Sequence, residues 1–95
     1  MNEVEGKSFA FTGTMGFTRR ELRSELESRG GIYHPRVTRG TDYLVIGRIL
    51  PSQGKNGITN KMRLAEIYKK TDSPIRIMSA PEFLLMLVTI ASVAN

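Results

Sequence analysis

The sequence predicts an α/β fold in which helices cover both faces of a parallel sheet. Strand and helix patterns alternate along the 95 residues in the order strand, helix, strand, strand, helix, strand, helix. One strand pattern, Tyr43 to Ile46, is an unbroken apolar run, which is typical of a strand buried on both faces. A chain of this length has room for one small domain.

The first strand pattern covers residues 7–12 and ends at Gly13. A helix begins shortly after it, because Thr18 and Glu21 have the spacing of a capping box. The glycine pair 30–31 ends this helix, since glycine readily adopts the left-handed conformation found after a helix.

Two further strand patterns, residues 32–33 and 43–46, follow each other without a helix between them. Strands so close in sequence are typical of an antiparallel hairpin. The alternation of elements elsewhere favours a parallel sheet instead. The residues alone therefore leave two pairings open for the second strand.

Residues 48–59 contain Pro51 and two glycines and show no periodicity, which predicts a long loop. Thr59 or Asn60 then opens a second helix. The side chains predicted to face the core from this helix are Leu64, Ala65, Ile67 and Tyr68.

Residues 75–77 form the last strand pattern, and Ser79 and Glu82 form a second capping box before the final helix. The apolar part of that helix, residues 83–94, is shorter than the roughly 20 residues a membrane span needs. The acidic start of the chain does not resemble a signal peptide. We therefore expect no membrane association and a soluble intracellular protein.

The composition excludes several classes of function. The chain has no cysteine, which rules out disulfides, cysteine-ligated zinc or iron–sulfur sites and thiol catalysis. Its one histidine, His34, lies beside a proline, where we expect a loop residue without a functional role. No paired carboxylates or nucleophile–base set can be assembled. We expect no enzymatic activity, no cofactor and no metal.

The net charge of +5 is concentrated in one part of the chain. Residues 18–63 hold ten basic and four acidic side chains, whereas the segment before them has a net charge of −1 and the segment after them is neutral. This favours a polyanionic partner, nucleic acid first, although a solvated surface is the favoured interpretation for any single arginine. Arg19 and Arg20, like Lys61 and Arg63, lie in a first helical turn, where the helix dipole disfavours cations but attracts phosphate.

Five short motifs occur in a recognisable order and spacing. They are Thr12-Gly13-Thr14, Gly30-Gly31, the segment from Thr41 to Gly47, Lys61 ahead of Ala65, and Glu82-Phe83-Leu84. Together they resemble a BRCT domain, most closely the single-copy domains of bacterial NAD-dependent DNA ligases and of the large subunit of replication factor C. The resemblance runs from about Gly6 to Leu87. It predicts a single domain over residues 1–95 with its core at about residues 6–88.

The resemblance implies a four-stranded parallel sheet of order 2-1-3-4. The first and third helices lie on one face and the second helix lies on the other. In this order the second and third strands never pair, so the hairpin is ruled out. The order reverses between the first and third strands, and ligands of open α/β sheets bind at such points. Many family members have a tryptophan in the last helix, and we expect Phe83 to supply that packing here.

The resemblance also implies a phosphate site formed by the Thr12 hydroxyl, the Gly13 N–H and the Lys61 ammonium. Arg20 matches an arginine that assists in members that bind DNA ends. Further contacts along a duplex backbone are expected from Arg19, Arg23, Arg39, Lys55 and Arg63.

The expected function is recognition of 5′-phosphorylated DNA ends or nicks in replication or repair. The alternative is a protein-interaction module that binds a phosphopeptide or forms a homodimer. The residues expected to mediate a homodimer are Leu87, Val88, Ile90 and Val93. DNA is the first partner, and a phosphoprotein or a larger repair enzyme is a further one. We expect a monomer or weak homodimer, cytoplasmic and nucleoid-associated if bacterial, nuclear if eukaryotic.

Overall fold

The computed structural model describes residues 2–71 and 73–94, except for the side chains of residues 89–94. The strands are Ser8–Thr12 (β1), Ile32–Tyr33 (β2), Tyr43–Ile46 (β3) and Arg76–Ser79 (β4). The helices are Arg19–Glu27 (α1), Asn60–Lys69 (α2) and Ala80–Ala94 (α3). All strand pairs are parallel, in the order β2-β1-β3-β4. The predicted fold class and strand order are confirmed.

The hairpin suggested by spacing is wrong, because β1 lies between β2 and β3. The segment between these strands crosses from the carboxyl end of β2 to the amino end of β3. At its start the His34 N–H donates to the Phe9 carbonyl over 2.8 Å, and at its end the Asp42 carboxylate accepts from the Ser8 N–H over 2.8 Å. The His34 ring lies 2.8 Å from the Thr41 hydroxyl, so it helps to hold this crossing segment.

The sheet separates two apolar cores, as the resemblance implied. α1 and α3 cover the larger core, whose fully buried members include Phe9, Phe11 and Phe83. The Phe83 ring centroid lies 5.5 Å from that of Phe9 and 5.2 Å from that of Phe11. Phe83 therefore supplies the aromatic packing expected of α3. The smaller core lies under α2 and consists of Ala10, Val37, Leu44, Ala65 and Ile75.

The prediction for the inward face of α2 is only half right. Ala65 is fully buried, and Tyr68 is partly buried against the smaller core. Leu64 is 38% exposed and Ile67 is 57% exposed, because the helix contacts the sheet through a narrow stripe that begins at Met62 and recurs every third residue. Leu64 and Ile67 lie outside that stripe.

The predicted capping box is complete at α1, whereas at α3 the Ser79 hydroxyl, and not the Ser79 backbone N–H, donates to the Glu82 carboxylate, over 3.1 Å. Thr18 Oγ1 accepts from the Glu21 N–H over 3.1 Å, and the Glu21 carboxylate accepts from the Thr18 N–H over 2.9 Å. The bond from the Thr18 N–H stabilises the charged carboxylate of Glu21 and so lowers the pKa of this residue. At the start of α3, Ser79 Oγ accepts from the Glu82 N–H over 3.2 Å. β4 runs to Ser79, two residues beyond the predicted strand end, and leads directly into α3.

Within residues 2–71 and 73–94, no helix combines the length and apolar character that crossing a membrane requires.

We predict that Phe83→Ala lowers the free energy of unfolding by about 3–5 kcal/mol, because it removes a fully buried ring and leaves a cavity between two other rings. Val88→Ala is the control, since Val88 is 60% exposed on the same helix. Equilibrium denaturation of both variants tests this. Equal losses of stability in the two variants would show that Phe83 does not organise the larger core.

Candidate phosphate-binding site

The candidate site lies at the carboxyl end of β1, where the strand leads into a turn before α1. Thr12, the last residue of β1, is buried, and its hydroxyl donates to Thr59 Oγ1 over 2.8 Å. Thr59 caps α2, and its Oγ1 also accepts from the Met62 N–H. The two hydroxyls thus tie the end of β1 to the start of α2. In this arrangement the Thr12 hydroxyl proton is engaged within the protein, and Thr12 positions the site.

Gly13 continues from β1 into the turn, and its position requires a glycine. Its φ is 87°, a left-handed conformation that other residues rarely adopt. A Cβ there would lie 2.8 Å from the Ile49 side chain and 2.9 Å from the Arg48 carbonyl oxygen. Among the described residues, none accepts a hydrogen bond from the Gly13 N–H. Within the described part of the chain, this donor therefore has no acceptor at the end of the sheet.

Lys61 reaches this edge because β2 is so short. The carbonyl of Phe9 accepts a hydrogen bond from the His34 N–H just beyond β2. β2 ends at Tyr33, so the next carbonyl on the same side of β1, that of Phe11, has no strand partner. Instead it accepts from Lys61 Nζ over 2.7 Å. Two segments that are 50 positions apart in sequence therefore meet at the end of β1.

A second cation donates a hydrogen bond to the next carbonyl on the β2 side of β1. The Arg19 guanidinium donates from Nη2 to the Gly13 carbonyl over 2.8 Å. Its charge and that of Lys61 are close enough to interact. The pKa of Lys61 is lowered, first by partial burial of the ammonium and second by the positive charge of Arg19. The carboxyl end of β1 thus concentrates positive charge against neutral carbonyl oxygens. We call the site formed here by Gly13, Arg19 and Lys61 the cleft.

Arg20, the arginine suggested by the resemblance, lies elsewhere. Its exposed side chain lines a groove between α1 and α3, together with Phe17 and Leu84. Consecutive helical residues point about 100° apart, so counting from Gly13 could not decide which of the two arginines faces the cleft. The structure brings together Thr12, Gly13, Lys61 and Arg19, and it leaves Arg20 outside this group.

Two of the predicted flanking residues are not free cations beside the cleft, because one is paired with a carboxylate and the other lies far away. Arg23 pairs with Glu27 over 3.1 Å and stacks 5.7 Å above the Tyr33 ring. Arg39 lies near the amino end of β1, at the end of the sheet opposite the cleft. The next residue, Gly40, accepts a hydrogen bond through its carbonyl from the Ser8 hydroxyl at the start of β1. The full length of β1 separates Arg39 from the cleft.

Lys55 and Arg63, in contrast, share a polar concavity of about 460 Å³ between the loop after β3 and the first turn of α2. The same loop closes one side of the cleft. Thr14 and Arg48 exchange two backbone hydrogen bonds of 2.7 and 2.9 Å, and Gln53 Nε2 donates to Thr14 Oγ1 over 3.1 Å. Sequence reasoning missed these contacts, because nothing in an aperiodic loop indicates where it docks.

Comparison with known proteins agrees with this fold. Residues 1–73 match the family model of the BRCA1 C Terminus (BRCT) domain. The chain is 33% identical over 87 residues to a DNA ligase of Fervidobacterium nodosum, a match that covers 90% of this chain and 11% of the ligase. It is 47% identical over 45 residues to a DNA ligase of Halothermothrix orenii, which covers 46% of this chain and 7% of that ligase.

These matches and the strand order define the class as an α/β binding module. The chain belongs to the BRCT domain family. It spans only 7% to 11% of the length of the two ligases. The predicted resemblance is thereby confirmed at the level of the family.

We predict that Arg19→Gln raises the pKa of Lys61, because the substitution removes the positive charge beside the ammonium. Arg20→Gln is the matched control and should leave the Lys61 pKa unchanged, since Arg20 lines the α1–α3 groove. NMR titration of the Lys61 side chain measures both. Equal shifts in the two variants would contradict the placement of Arg19 in the cleft.

We also predict a pH-dependent difference in stability between the wild type and Lys61→Met. The pKa of Lys61 is lower in the folded chain than its ordinary 10.5, so between these two values the unfolded chain holds the proton more tightly. The unfolding free energy of the wild type, relative to Lys61→Met, should therefore increase as the pH rises through this window. Denaturation at a series of alkaline pH values tests this, and a difference that is constant with pH would contradict it.

Proposed function

We propose that this domain is a non-catalytic module that binds the 5′-phosphate of DNA at an end or a nick in replication or repair. The observation that carries the proposal is the convergence of Lys61, Arg19 and the Gly13 N–H at the carboxyl end of β1, on the side of this strand that faces β2 and next to the point where the strand order reverses. These are one point charge, one planar guanidinium and one backbone donor. Such a set suits an anion with several oxygens.

A phosphate would be a better acceptor for both cations than the oxygens they contact here. Lys61 and Arg19 each donate to a neutral carbonyl, whereas hydrogen bonds to an ionised acceptor are about twice as strong. The negative charge would also offset the burial of the ammonium and the repulsion from Arg19, which together lower the pKa of Lys61. Three such bonds give binding in about the millimolar to micromolar range, so contacts to the flanking backbone are needed for tighter binding.

The donors of this site recognise a phosphate and do not distinguish bases, because phosphate contacts position a protein without specifying sequence. The relatives are named DNA ligases, of which the chain spans a small part. We therefore propose that the module directs a larger DNA-processing enzyme to phosphorylated ends, in the compartment that holds the chromosome, which in a bacterium is the cytoplasm. The described residues contain no group of three or more side chains suited to hold a metal ion.

A second candidate function, protein interaction, is favoured by the groove between α1 and α3. This groove has a volume of about 880 Å³, and both Phe17 (47% exposed) and Val88 (60% exposed) line it. Leu87, also expected at a dimer contact, is buried, and the side chains of Ile90 and Val93 lie outside the described residues. Analytical ultracentrifugation tests this function, since a chain that stays monomeric at high concentration does not dimerise through the groove.

We predict that the wild type binds a 5′-phosphorylated duplex at least about tenfold more tightly than the same duplex with a 5′-hydroxyl. One charge-assisted hydrogen bond contributes about 1.5–3 kcal/mol, and about 1.4 kcal/mol corresponds to a tenfold change. Fluorescence anisotropy measures this ratio. Lys61→Gln and Arg19→Gln should reduce it towards one.

Two controls carry the same loss of charge, Lys69→Gln at the far end of α2 and Arg20→Gln beside the cleft arginine. Each control should affect the two duplexes equally and so preserve the ratio. A wild-type ratio near one would refute 5′-phosphate recognition. A phosphopeptide that binds more tightly than the phosphorylated duplex would favour the protein-interaction function.

A further inference from the structure

We infer that residues 50–59, together with the first turn of α2, form a second anion-binding surface that holds phosphodiesters of the DNA beyond the bound terminal phosphate. The residues that the inference uses are Ser52, Gln53, Lys55, Asn60 and Arg63. We call this surface the loop concavity. The inference rests on the proposed function, since it assigns the flanking part of the same ligand.

The loop holds Lys55 on a defined backbone, although its sequence shows no periodicity. Lys55 and Ile58 exchange two backbone hydrogen bonds of 3.1 and 3.0 Å, which close a two-residue hairpin turn. Asn56 and Gly57 form the turn with φ of 56° and 76°, the left-handed pair that the sequence Asn-Gly favours. The backbone of Lys55 is therefore held in place before any ligand binds, which lowers the entropic cost of using this residue.

A short turn joins this hairpin to the phosphate cleft. The Leu50 N–H donates to the Gln53 side-chain carbonyl over 2.9 Å, and the Gln53 N–H donates to the Leu50 carbonyl over 2.9 Å. The Gln53 side-chain NH2 donates to the hydroxyl of Thr14, one residue after Gly13. The loop concavity and the cleft therefore lie on two sides of one anchored segment.

The charge of the loop concavity is uncompensated. Its lining includes Lys55 and Arg63 with the polar side chains of Ser52 and Asn60, and it includes no carboxylate. Within residues 2–71 and 73–94, neither cation forms an ion pair. Arg23 of α1 differs in this respect, because it pairs with Glu27 one helical turn later. Uncompensated cations in a polar hollow favour an anionic ligand.

The first turn of α2 contributes to both surfaces. Lys61 extends towards the end of β1, whereas Arg63, two residues later, lines the loop concavity. A ligand with a single phosphate, such as a phosphopeptide, occupies the cleft and leaves Lys55 and Arg63 without partners. A DNA strand presents one phosphate per nucleotide and matches both surfaces at once. Charge complementarity thus favours DNA over a phosphopeptide.

The test compares the double variant Lys55→Gln/Arg63→Gln with the matched control Lys69→Gln/Lys70→Gln, whose two exposed lysines lie at the other end of α2. Affinity for a 5′-phosphorylated duplex is measured between 50 mM and 1 M salt. Each neutralised phosphate contributes about 0.9 to the slope of log affinity against log salt, so the first variant should have a slope shallower by about 1.8. Its affinity at 50 mM salt should fall on the order of 100-fold.

The control should keep the wild-type slope, and both double variants should keep the preference for a 5′-phosphate over a 5′-hydroxyl. An unchanged slope in Lys55→Gln/Arg63→Gln, or an equal change in the control, would overturn the inference while leaving 5′-phosphate recognition intact. A wild type that binds the 5′-phosphorylated and 5′-hydroxyl duplexes equally would instead refute the proposed function. A phosphopeptide whose affinity falls as much as that of DNA would also overturn the inference, because its single phosphate would then use both surfaces.

Discussion

The unequal pairing of the central strand determines how the cleft is built. β1 pairs with β3 over four residues but with β2 over only two, so its last carbonyls on the β2 side extend past the sheet. Buried carbonyls need hydrogen-bond donors, and here the donors are the long cationic side chains of Lys61 and Arg19. A longer β2 would have occupied these carbonyls and removed the reason for two cations to gather there.

Much of the fold could be predicted from local signals. Three features depend on residues only a few positions apart, and their geometry follows the sequence: the capping box that begins α1, the Ser79–Glu82 contacts that begin α3 and the glycines that end α1. The apolar run of β3 likewise reflects burial on both faces. The strand order did not follow from spacing. A segment that passes across a third strand, as the one between β2 and β3 passes across β1, can be as short as the loop of a hairpin. Only the ordered set of motifs resolved it.

The site was predictable only in outline. The motifs indicated that Gly13 and Lys61 belong to one edge, and the structure places them there. Which of two adjacent arginines faces that edge depends on helix rotation, which their sequence positions do not specify. A charge count along the chain also grouped Arg39 with the cleft, although they lie at opposite ends of β1. Side-chain direction and three-dimensional distance are set by packing, and neither is contained in a linear count.

The bond between Lys61 and the Phe11 carbonyl joins residues 50 positions apart, and the hydroxyl pair below it joins residues 47 apart. Such contacts require distant parts of the chain to be brought together, at the entropic cost of closing large loops. Anion recognition by this chain is consequently a property of the completely folded state. A ligand that binds only this state shifts the folding equilibrium by mass action, so occupancy of the cleft and resistance of the whole domain to unfolding rise together.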